Sequence, residues 1–66
     1  MKVHVHAYMM SNGTVIFHVT TDTGQEEKSI IIHTALRKAG IPEDKAIGIA
    51  NEFGASFRET LSEFNY

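Results

Sequence analysis

The chain contains no cysteine and no tryptophan, and Pro42 is its single proline. Without cysteine there can be neither a disulfide framework nor a zinc site built on thiolates, and a reducing compartment fits. No apolar run approaches the roughly 20 residues that a membrane-crossing helix needs. No segment joins a basic start, an apolar run and a small-residue cleavage site. A cytoplasmic setting is therefore the expectation, and Asn12-Gly13-Thr14, a glycosylation sequon by pattern, is idle there. Positive charge is also scarce: six Lys and Arg face eight Asp and Glu, for a formal net charge of −2. That balance removes the broad electrostatic attraction on which most nucleic-acid binders rely.

At 66 residues the chain reads as one small domain, 1–66, near the lower limit for burying its own core. A partner is thus expected, and a homodimer is the simplest one.

What the sequence does have is apolar patterning. From Pro42 to Phe64, residues Ala46, Ile47, Ile49, Ala50, Phe53, Phe57, Leu61 and Phe64 recur at three- and four-residue steps, the rhythm of one helical stripe. Asp44, Lys45, Asn51, Glu52, Arg58, Glu59, Ser62 and Glu63 fall on the opposite face. The spacing predicts a helix over 42–64, about 34 Å long at ~1.5 Å per residue, more than so small a core needs. Gly54 and the Ser56/Glu59 capping spacing offer a break, but the rhythm passes through Gly54 without a change of phase.

The N-terminal third has a period of two. Strands are predicted over 2–10 and 14–21, with Val3, Val5, Ala7 and Met9 alternating against His4, His6, Tyr8 and Met10. The connection decides the register. A two-residue Asn12-Gly13 loop would mix polar and apolar residues on both faces. A three-residue loop with Gly13 in a left-handed bulge pairs Val5 with Val19, Ala7 with Phe17 and Met9 with Val15, and sets His6 opposite His18. The second register buries a uniform face and is the expected one.

Thr23 and Glu26 have capping-box spacing, Glu26 and Glu27 suit a helix start, Arg37 and Lys38 suit its end, and Gly40 is a stop. A helix is expected over 24–39, with a third strand over Lys28 to His33 as the competing reading, because three consecutive isoleucines favour a pleated surface. The fold class is α+β: a β-hairpin followed by a helical hairpin with a long amphipathic C-terminal helix (ββαα), or alternatively a three-stranded meander plus that helix.

Chemistry-bearing constellations are few. His4, His6 and His18 share one sheet face and could approach a cation such as Zn²⁺, but the strands lack a carboxylate or cysteine to complete a shell. They read as solvated or interface residues, with no metal and no cofactor implied. The serines have no base tied to them by spacing, so no enzymatic reading emerges. The run Ala35 to Ala46 loosely resembles a helix-turn-helix, which gives an alternative function: a dimeric nucleic-acid-binding regulator contacting its target through Arg37, Lys38 and Lys45. Its second helix would, however, lead with Glu43 and Asp44. The expected function is a non-catalytic protein-binding module, of the size of small bacterial or phage-encoded inhibitors and adaptors. Its partner-binding residues would be Glu52, Glu59, Glu63, Phe64 and Tyr66.

Overall fold

Strand β1, Lys2–Met9, buries Val3, Val5 and Ala7 completely while His6 on its other side stays exposed, the alternation that the sequence prescribes. The computed structural model describes the backbone of residues 1–55 and 61–65 and the side chains of 1–54. β1 pairs antiparallel with β2, Val15–Thr21, in the expected register: Val5 faces Val19, His6 faces His18 and Ala7 faces Phe17. The loop between them explains why. Met10 N–H donates to the Thr14 carbonyl at 2.7 Å and Gly13 N–H to the Met10 carbonyl at 2.9 Å, with Gly13 at φ +89°. This is the three-residue loop in which glycine takes the left-handed bulge position. Asn12 Oδ1 accepts the Thr14 N–H at 2.9 Å and braces the turn.

The next connection repeats this geometry and overturns the helix expected over 24–39. Thr21 N–H donates to the Gln25 carbonyl at 3.0 Å and Gly24 N–H to the Thr21 carbonyl at 3.1 Å, with Gly24 at φ +95°. Asp22-Thr23-Gly24 is thus a second bulged hairpin loop, leading into β3, Glu26–Ser29. Thr23 does not cap a helix: its hydroxyl lies 2.8 Å from Thr21 Oγ1, which also accepts the Gln25 N–H at 3.1 Å. Capping-box spacing was present, but the left-handed glycine between its two ends suits a turn better than a helical start.

Helix α1 is correspondingly short, Ile32–Lys38, and begins without a side-chain cap. Its C-terminus is strongly specified. Gly40, at φ +92°, donates to the Arg37 carbonyl at 3.0 Å, and Ile41 N–H donates to the Leu36 carbonyl at 3.1 Å. These are the paired bonds of a Schellman motif, with Leu36 and Ile41 both buried as its apolar accompaniment.

Helix α2, Glu43–Ala55, buries Ala46, Ile49 and Phe53. The helix expected over 42–64 is therefore also corrected: it ends at Ala55, and Leu61–Asn65 form strand β4. Phe57 and the Ser56/Glu59 spacing lie outside the described residues. The physical reason is β1. With β3 on the far side of β2, β1 would otherwise be an open edge, and β4 gives it a second antiparallel ladder, with Leu61 opposite His6, Glu63 opposite His4 and Phe64 opposite Val3. At ~1.5 Å per residue, α2 is roughly 20 Å long, a length matched to the sheet beneath it. The stripe expected to be left over for a partner is instead shared between a helix and a strand.

The sheet order is β3-β2-β1-β4, antiparallel throughout. Both helices contribute to one core on the Val3, Val5, Ala7 and Val19 face. Phe17 and Phe53 meet edge to face there, with ring centroids 6.0 Å apart. The fold class is α+β, combining the three-stranded meander with the helical hairpin. No helix among the described residues is long and apolar enough to cross a membrane.

Candidate protein-binding surfaces

Layering the helices on one side leaves the sheet with a second, outward face. On it stand His4, His6 and Tyr8 from β1, Ile16, His18 and Thr20 from β2, and Glu26 and Lys28 from β3. The His6 and Tyr8 rings lie 5.5 Å apart at a 40° tilt. His18 is the imidazole of this face that lies beside a described carboxylate. Its Nε2 is 3.0 Å from Glu26 Oε2, yet it makes no aligned hydrogen bond to that carboxylate or to any other group among the described residues. Glu26 supplies the carboxylate that the first two strands lack, through a strand read from sequence as helix. Even so, no three His, Asp or Glu side chains among the described residues gather as a metal-binding group.

The residues expected to bind a partner are dispersed. Glu52 is exposed on α2, whereas Glu63 belongs to β4, so these two carboxylates do not share a helix face. Phe64 is also in β4, at the register position opposite Val3. Glu59 and Tyr66 lie outside the described residues.

A second surface lies on the helical layer. Glu43 Oε1, at the start of α2, is 3.1 Å from His33 Nε2 and 3.4 Å from Arg37 Nε, so a single carboxylate ties two successive turns of α1 to α2. Arg37 also donates from Nη1 to the Ile41 carbonyl at 2.8 Å. Its guanidinium therefore fastens the inter-helix connection. Lys38 and Lys45 are exposed. No family model, curated protein or solved structure matches this chain.

Three isoleucines that flank or belong to the two helices joined by this cluster are in water: Ile30 is 62% exposed, Ile31 56% and Ile47 46%. Ile30 and Ile31 immediately precede α1 and His33. Ile47 stands one turn beyond Glu43, on the same side of α2. Sequence patterning missed this surface, because Ile47 was counted into the core stripe and the isoleucine run was weighed only as helix or strand. One signal was available: a helix over 24–39 gathers Ile31, Ile32, Ala35, Leu36 and Ala39 on one face and leaves Ile30 outside it.

Proposed function

We propose that this chain is a small non-catalytic protein-binding module, of the inhibitor or adaptor type, that docks a partner protein on the isoleucine surface of its helical layer. The observation that supports this is the exposure of Ile30, Ile31 and Ile47 on the segments that the His33, Arg37 and Glu43 cluster ties together. Single exposed apolar residues are ordinary, but a group of large ones rimmed by polar side chains marks an interaction site. Full burial of an isoleucine is worth about 1.5–3 kcal/mol, so covering three half-exposed ones supplies a worthwhile fraction of a binding energy. The polar cluster adds a rigid, hydrogen-bonding rim. Together these give the apolar centre and polar margin of protein interfaces.

The test is affinity capture from lysate by the wild-type chain and by an Ile30→Lys/Ile47→Lys variant, followed by calorimetric titration of the captured protein once purified. The expected result is a partner held by the wild type and lost by the variant, with unchanged circular dichroism. Equal affinity for both chains would refute the assignment of this surface.

A further inference from the structure

We propose that the outward face of the sheet is a dimer interface, and that its occupant is a second copy of this chain. This is a different surface from the isoleucine site, and the inference does not depend on that site. Three observations converge on it. The first is composition: the centre of the face, made by His6, His18, Tyr8 and Ile16, contains no Lys, Asp or Glu, while Glu26 and Lys28 stand at its β3 margin and Lys2 and Glu63 hold register positions at its β1–β4 margin. Aromatic-rich, charge-depleted centres with charged rims are what separates interface cores from ordinary solvated surface.

The second is area. At ~3.3 Å per residue and ~4.8 Å between strands, the four strands cover roughly 400 Å² in plan. Doubled across two copies and enlarged by side-chain relief, this reaches the ~1,000 Å² total that distinguishes specific interfaces from incidental contacts. The third is charge. Net charge is only −2, and each margin carries both signs, Glu26 with Lys28 in β3 and Glu63 with Lys2 at the β1–β4 side, so two copies meet without a like-sign field and can be matched by a two-fold axis. Packing face to face in this way turns a two-layer domain into a four-layer assembly and gives a short, cysteine-free chain a second buried layer.

Sedimentation equilibrium tests this on the intact chain. The expected result is a dimer for the wild type at concentrations of about 1–100 μM. His6→Glu/His18→Glu, which sets two carboxylates opposite each other at the centre of the face, should raise the dissociation constant at least ~30-fold. Tyr8→Arg provides a second disruption that leaves the inward face untouched, should the double variant lose its fold. Ile30→Lys/Ile47→Lys should remain dimeric, which separates this inference from the isoleucine surface. A wild type that is monomeric throughout the range would overturn the proposal, as would a dimer unaffected by Tyr8→Arg and by a folded His6→Glu/His18→Glu.

Discussion

Phe53→Ala would test how α2 is held to the sheet. Phe53 is only 3% exposed, and its ring meets Phe17 edge to face at 6.0 Å. Truncating a buried phenylalanine to alanine typically costs about 3–5 kcal/mol through lost transfer energy and the cavity left behind. A chain of this length, at ~0.05–0.15 kcal/mol per residue, has roughly 3–10 kcal/mol of stability in all. The substitution should therefore leave the protein marginal or unfolded at room temperature. Urea denaturation followed by circular dichroism gives the value directly. A cycle with the gentler Phe17→Leu and Phe53→Leu should reveal a coupling of about 0.5–1.5 kcal/mol from the ring pair itself. A loss below about 1 kcal/mol for Phe53→Ala would refute the packing of α2 on β2, because a side chain removed from a filled core cannot be that inexpensive.

Gly40→Ala places a Cβ on a residue at φ +92°; it should lower stability by about 1–2 kcal/mol, seen as a lower thermal midpoint, even though no atom beyond the adjacent residues lies within 4 Å of the added carbon. Arg37→Ala should cost about 1–2 kcal/mol in urea melts, because the pair with Glu43 is half-exposed and largely screened while the charged hydrogen bond to the Ile41 carbonyl is lost. Cysteines at His4 and Glu63, which are register partners across β1 and β4, should form an intramolecular disulfide on mild oxidation. Thiol titration reads this cleanly because the natural chain has no cysteine, and thiols that persist in the monomer would count against β4.

The hairpin was legible in the sequence because three signals agreed: strict alternation along β1, alternation along β2, and a glycine at the one loop position that keeps valine facing valine. The second hairpin used the same loop, yet its cue was masked. Asp22-Thr23-Gly24 is followed by Glu26, Glu27 and Lys28 rather than by alternating apolar residues, since β3 is a short edge strand whose charges discourage further pairing. Charge at that place resembles the first turn of a helix. The end of α2 was obscured for a related reason. Phe53, Phe57, Leu61 and Phe64 keep a helical rhythm, but Leu61 to Asn65 answer to the open side of β1, a requirement set by a strand more than fifty residues away. Periodicity cannot register that demand. The candidate surfaces follow from these two elements. β3 brings Glu26 to His18, and β4 separates Glu63 from Glu52, so the expected acidic helix face gave way to an open sheet face and three exposed isoleucines.

The most direct test of the functional account is a methyl NMR spectrum of isoleucine-labelled protein, titrated first with itself and then with its purified partner. The seven isoleucines sample every surface in question: Ile30, Ile31 and Ile47 lie on the proposed docking site, Ile16 on the outward sheet face, and Ile41 in the core. Raising the protein concentration should move Ile16 alone. Adding the partner should then move Ile30, Ile31 and Ile47 while Ile41 stays fixed. Partner-induced shifts confined to Ile16, or absent from all three exposed isoleucines, would contradict the account.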